Sequence, residues 1–171
     1  MKCALSASKR RRFDIQGFEG ESSERLAEIA PWLGFAYGLC TLLAAVGTAL
    51  ASPVILLALV PVAVLGALLP FHPFDLIYNY GIRHATKTEP LPRRGAPGRF
   101  ACGLATAWLL ATAWLFWAGH STAGYVLGFA LVASGSLVST THICIPSMIF
   151  RSVFGWPARR DEVDAARVTT S

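Results

Sequence analysis

"FACGLATAWLLATAWLFWAGHSTAGYVLGFALVASGSLVSTTHICIPSMIF", residues 100–150, decides the fold of this chain. Across those 51 residues, from Arg99 to Arg151, there is no Lys, Arg, Asp or Glu. A run of ~18 apolar residues already reads as a membrane span, and ~20 residues at ~1.5 Å each cross the hydrocarbon. The stretch is too long for one crossing and long enough for two, with "GHST" (119–122) as the turn. A second charge-free run fills the 46 residues between Glu28 and Asp75 and reads the same way, with its turn at "ASP" (51–53). Four spans follow, at about residues 31–50, 54–71, 100–118 and 123–150.

The remaining composition agrees. Of 171 residues, 54% are hydrophobic and 15% charged, and the mean hydropathy is +0.50. Soluble domains are nearer ~45–50% apolar and ~25% charged. The 15 Lys and Arg fall in three blocks, 1–30, 83–99 and 151–167. The turns at 51–53 and 119–122 carry none. Positive residues stay in the cytoplasm, so both termini and the 72–99 loop are expected there. The first 22 residues have no apolar core of the kind a signal peptide carries. The basic balance of +5 needs no nucleic acid as partner. "SKRRRF" (8–13) reads as a topology signal, with Lys9, Arg10, Arg11 and Arg12 available to anionic lipid.

The organisation expected is a basic cytoplasmic tail (1–22), a first helical hairpin with an interfacial helix (23–84), a cytoplasmic loop (85–98), a second hairpin (99–150) and a cytoplasmic tail (151–171). The interfacial helix is "PFHPFDLIYNYGIRH" (70–84), where two prolines break the span and aromatic rings follow. Pro61 sits inside the second span and predicts a kink. The halves resemble one another weakly. "RLA" (25–27) leads to "FHPFDLIY" (71–78), and "RFA" (99–101) leads to "CIPSMIF" (144–150). The fold class expected is therefore all-α, with four transmembrane helices arranged as two parallel-repeat hairpins in a four-helix bundle. Gly34-x-x-x-Gly38 and Gly124-x-x-x-Gly128, with Gly135, predict close helix contacts inside the molecule.

The chemistry gathers at "STTHICIPSMIF" (139–150), where the fourth segment ends. That segment has 28 residues and would be ~42 Å long as a straight helix, against a ~30 Å core, so a tilt or a kink at Pro146 is expected. Pro146 has no N–H and frees the carbonyl of His142. The hydroxyls of Ser139, Thr140 and Thr141 are the expected repair. On a helical wheel at ~100° per residue, Cys144 and Ser147 share a face and His142 lies on another. His142 is more simply a neutral structural histidine than a functional one, yet ionisable residues in spans are rare and usually face the interior.

The repeat places His72 and Asp75 at the matching end of the second span. His72, Asp75, His142, Cys144 and Ser147 thus form a candidate polar cluster at the cytoplasmic end. His, Cys and carboxylate are the usual zinc ligands, so His72, Asp75, His142 and Cys144 are the minor metal candidate, although no metal or other cofactor is expected. Cys144-Ile-Pro-Ser147 echoes a redox motif, with Cys144 the candidate thiol. Its pKa would be lowered only if Pro146 starts a new helix with Cys144 at its N-terminus. Cys40 and Cys102 lie in spans far apart in sequence and add nothing, and no disulfide framework is implied.

"HPFDLIYNYGIRH", "PLPRRGAPGRFACG" and "STTHICIPSMIF" resemble a bacterial family of small four-span membrane proteins, the domain of unknown function 4395, over about residues 23–155. The resemblance implies a fold and a location, the bacterial inner membrane, and no activity. Many members end the last span with two cysteines two residues apart, and this chain has Ser147 at the second position, a departure that weakens the expectation of dithiol chemistry there.

No phosphate loop, zinc-protease helix or paired intramembrane carboxylates are found, so an enzyme is the weaker expectation. The leading reading is a non-enzymatic binding or membrane module. One alternative is a membrane thiol protein handling sulfur or electrons through Cys144. Another is an assembly subunit meeting a membrane-protein partner through its basic loop, at Arg93 and Arg94.

Overall fold

A computed structural model describes residues 5–157. Those residues are all helical or irregular, and no strand occurs among them. Helix α1 (Ala7–Gln16) is capped by Ser6 and ends at Gly17, whose φ of +98° suits glycine alone. Helix α2 (Ser23–Leu33) is capped by Ser22 and contains Pro31. After one interrupting residue, Gly34, the chain continues as α3 (Phe35–Ala49). A tight turn with Ala51 at φ +44° leads to α4 (Pro53–Leu68), with Ser52 as cap and Pro53 in the first turn.

At Leu69 the backbone becomes extended, and the next helical segment is turned by 83°. That segment comprises α5 (Pro73–Ile77), a π-helical turn (Tyr78–Ile82) and α6 (Arg83–Thr86). An irregular stretch leads to α7 (Ala96–Trp117), then α8 (Ser121–Thr141) and α9 (Ile145–Phe154).

Three helical segments are long and apolar enough to cross a membrane: Ser23–Ala49, Ala96–Trp117 and Ser121–Thr141. The bent pair Pro53–Leu68 with Pro73–Thr86 makes a fourth if it is counted as one span. Helix α3 packs on α4 and α8, and α7 packs on α4 and α8. Their shared core holds Ala44, Leu56, Leu59, Leu109, Ala113 and Phe116. Large apolar side chains such as Leu50, Val54, Leu68, Trp117 and Val126 point outward, as they do on helices solvated by lipid.

The α3–α8 contact depends on missing side chains. A Cβ on Gly128 would stand 2.5 Å from Thr48 Cγ2, one on Gly34 would stand 2.8 Å from the Ser139 carbonyl, and one on Gly135 would overlap Thr41 Oγ1. The small-residue pattern thus lies at helix contacts within the chain.

A second core closes the charged end. Phe13, Phe18, Leu26, Ile29, Leu33, Tyr78 and Leu91 bury one another there. The N-terminal segment read as a basic tail contains a docked helix. The Arg10 guanidinium donates to the Glu21, Glu19 and Phe18 carbonyls at 2.6, 3.2 and 3.4 Å and pairs with Asp14 at 2.9 Å. Arg11 and Arg12 donate to the carbonyls of Pro157 and Thr141, at 2.6 and 2.7 Å. Of the four cations assigned to lipid, three are therefore engaged with the protein.

The fourth segment also differs from its sequence reading. It is not one kinked helix over 123–150. Helix α8 stops at Thr141, His142 turns left-handed at φ +57°, and α9 begins with Pro146 in its first turn. A proline ring clashes with the carbonyl four residues earlier, and a break at His142 removes the clash. The freed His142 carbonyl accepts from Gln16 Nε2 at 2.7 Å. The hydroxyls expected to repair it instead bond back inside α8, from Ser139 and Thr140 to the Ser136 carbonyl and from Thr141 to the Leu137 carbonyl. The proline break is thus mended by α1.

Candidate functional site: a thiol-lined cavity

Just inside the charged end, a cavity of about 110 Å³ lies between α3, α7, α8 and the start of α9. Its wall is largely apolar, with Ala and Leu the commonest residues. Set into that wall are Tyr37 and Cys40 from α3, Cys102 and Trp108 from α7, Cys144 from the turn before α9, and His72 from the bend after α4.

His72 is positioned by backbone chemistry. The chain leaves α4 and restarts at Pro73, with His72 as N-cap of α5. Its Nδ1 accepts the Phe74 N–H at 3.3 Å, and its own N–H donates to Asp75 Oδ2 at 3.1 Å. This reciprocal arrangement satisfies donors that a helix start leaves free. With Nδ1 accepting, the neutral ring carries its hydrogen on Nε2, which faces Cys40 Sγ at 3.9 Å. Burial, helped by the nearby Arg94 cation and opposed by Asp75, lowers the His72 pKa to about 4, so the ring stays neutral. Gly66 makes room for it. A Cβ there would lie 2.6 Å from His72 Cδ2 and 3.1 Å from Cys102 Sγ.

Behind His72 is a buried ion pair. Arg94 donates from Nε and Nη2 to the two Asp75 oxygens, at 2.7 and 2.8 Å. Both side chains are buried. The guanidinium also lies 4.5 Å from the centre of the Tyr37 ring, a cation–π contact. Arg94 Nη1 is buried without a hydrogen-bond partner. Arg94 was expected on a docking surface with Arg93, but its pairing beneath the loop removes it from that surface.

The five residues of the expected cluster separate. His72 and Cys144 line the cavity. Asp75 stands behind His72 on Arg94. Ser147 is buried and donates to the Pro97 carbonyl at 3.3 Å. His142 belongs elsewhere, with its ring 4.8 Å from that of Phe13 on α1. Burial, then Lys9 and Arg12, hold its pKa below the usual value. The proposed zinc set of His72, Asp75, His142 and Cys144 is therefore not brought together, because α8 ends before His142 and turns that ring toward α1. Among the described residues, no group of three or more His, Cys, Asp or Glu is placed to hold a metal.

Pro146 does start a new helix, and Cys144 is its N-cap residue. Burial nevertheless pushes the Cys144 thiol up, with the hydroxyl and N–H of Ser147 opposing. The sequence reading set Cys40 and Cys102 aside, and both line the cavity. A signal was available for them. Cys40 lies five residues into α3 and Cys102 six into α7, both counted from the charged end. They share a depth, although nothing in the sequence shows which way each helix is rotated.

The fold and cavity define an all-helical protein with three to four segments apolar enough to cross a membrane. The chain belongs to the family described as "Domain of unknown function (DUF4395)", whose sequence profile matches residues 31–154. The match takes in every cavity residue and leaves out α1. No curated protein and no solved structure matches the chain.

Proposed function

We propose that this protein is a multi-pass protein of the bacterial inner membrane that works as a non-enzymatic binding module. Its four spans form a four-helix bundle of two hairpins, which the weak internal repeat relates as parallel copies. Both termini and the loop after α4 face the cytoplasm, in keeping with where the Lys and Arg lie. The ligand is a small, largely apolar molecule. One observation carries this reading: side chains from α3, α7 and two interhelical turns converge on an otherwise apolar cavity of about 110 Å³. Concave, mostly apolar sites with a few convergent polar groups are the usual form of a small-molecule site.

The test uses the full chain in lipid nanodiscs. Each cysteine is followed by mass spectrometry during reaction with a small methanethiosulfonate, with and without methylenecyclopentane as occupant. Joint protection of Cys40, Cys102 and Cys144 is expected. Unchanged rates at all three, with methylenecyclopentane at its solubility limit, would sink the binding reading.

A second reading, a membrane thiol protein, is favoured by the convergence of three thiols on one space. It requires one thiol to react ahead of the others near pH 7. Equal, slow reaction of Cys144 and Cys40 would count against it.

A further inference from the structure

We propose that the cavity selects a small, neutral, lipid-soluble carbonyl compound, with His72 Nε2–H donating a hydrogen bond to the carbonyl oxygen. This deepens the binding reading and rests on it. The argument starts from the tautomer. Because Nδ1 accepts the Phe74 N–H, the hydrogen of the neutral ring is on Nε2. That donor is buried, and its nearest partner is the Cys40 sulfur at 3.9 Å. Sulfur is a weak acceptor, so a real acceptor in the cavity would gain the full bond.

Two other donors around the cavity are already in use, while the Tyr37 and Ser134 hydroxyls also line it. The Thr41 hydroxyl donates to the Tyr37 carbonyl at 2.7 Å, and the Trp108 indole to the Leu127 carbonyl at 3.0 Å. His72 Nε2–H is fixed in direction by the α5 cap, whereas a hydroxyl rotates to suit its partner, so His72 is the group that orients a ligand.

The surroundings narrow the ligand's charge. Asp75 neutralises Arg94, yet the partnerless Nη1 of Arg94 leaves the positive side of this pair near His72, which favours an oxygen over a cation. A metal ion would need the Nε2 lone pair, which the N–H occupies. A full anion would lose its water against a largely apolar wall, and one N–H would not repay that loss. At about 110 Å³ the cavity is smaller than the ~150 Å³ apolar cavity that holds benzene, which limits the ligand to at most one small ring.

The experiment compares cyclopentanone with methylenecyclopentane on the full chain in nanodiscs. Both are five-membered rings with one exocyclic double bond, and only cyclopentanone has a carbonyl. Cyclopentanone is expected to protect Cys40 and Cys102 from the methanethiosulfonate at a membrane concentration at least ~10-fold lower than methylenecyclopentane, a difference of ~1.4 kcal/mol. The protection reverses on washing without reductant. The infrared carbonyl band of bound cyclopentanone is expected at lower frequency than in lipid alone. In His72→Asn, which keeps a capping side chain and removes Nε2–H, the preference over methylenecyclopentane is expected to vanish. If His72→Asn does not fold, the wild-type comparison and the infrared band still decide. Equal protection by the two compounds overturns the carbonyl inference and leaves the binding reading standing. No protection by either overturns both.

Discussion

Arg94 and Asp75, nineteen residues apart, meet through two hydrogen bonds of 2.7 and 2.8 Å with both side chains buried. The pair fastens the loop after α6 to the bend after α4. Because the Asp75 carboxylate also accepts the His72 N–H, the same clamp sets the position of the imidazole at the cavity.

Removing one partner strands a buried charge. Arg94→Ala or Asp75→Ala is expected to destabilise the protein by about 3–5 kcal/mol, while the double variant loses less than the sum. Arg94→Lys should not rescue, since an ammonium cannot make the bidentate contact. Thermal unfolding in one detergent measures all four. A loss below ~1 kcal/mol for either single variant would mean that the pair is not closed in the membrane.

Two glycines give opposite expectations. Gly66→Ala places a methyl 2.6 Å from His72 Cδ2 and 3.1 Å from Cys102 Sγ. It should cost about 1–3 kcal/mol as overpacking and raise the labelling rate of Cys102. At Gly103 the nearest atom to a new Cβ is Ala67 Cβ at 3.9 Å, an ordinary contact. Gly103→Ala should be neutral or stabilise by up to ~1 kcal/mol, since Ala is the better helix former. Equal effects at the two sites would contradict the close approach at Gly66.

Helix α1 is held to the break before α9 by Gln16 and Arg12, which take the His142 and Thr141 carbonyls. Gln16→Ala leaves the His142 carbonyl without its donor and should cost about 1–3 kcal/mol. Hydrogen exchange in residues 7–16 should then rise more than in α7. Unchanged protection there would show that α1 is held by its apolar side chains alone.

The pH dependence follows from a depressed histidine. His142 is buried against Phe13 and near Lys9 and Arg12, so its folded pKa is below the ordinary 6.5. Above about pH 6.5 the ring is neutral in both states and the full stability is present. As pH falls below that value, the unfolded chain binds the proton first, and stability is lost until the folded pKa is passed. His72, lowered to about 4, continues the loss toward that pH. His142→Asn keeps a residue that tolerates φ +57° and should flatten the upper part of the profile. Identical midpoint-versus-pH curves for wild type and variant would refute the assignment.

Much of the architecture was legible without coordinates. The two charge-free runs marked the helical segments, the prolines at 70 and 73 marked the bend, and the glycine pattern marked close helix contacts inside the chain. These are properties of local composition, and composition is enough to place a segment in lipid or water. The site was legible only in part. His72 and Cys144 were named, while Cys40, Cys102, Tyr37 and the buried state of Arg94 were not. His142 meets Phe13 of α1, which lies outside the apolar segments, so no spacing within the fourth segment records that contact.

What the sequence determined by itself was which residues are too apolar for water and where the positive charges stop them. The tertiary structure decided which of the remaining polar side chains meet. That outcome depends on the rotation of each helix about its axis, on an 83° bend and on a left-handed residue at His142. Each arises from contacts between elements distant in the chain, a glycine against a threonine or an arginine against a carboxylate. No periodicity within one element records them.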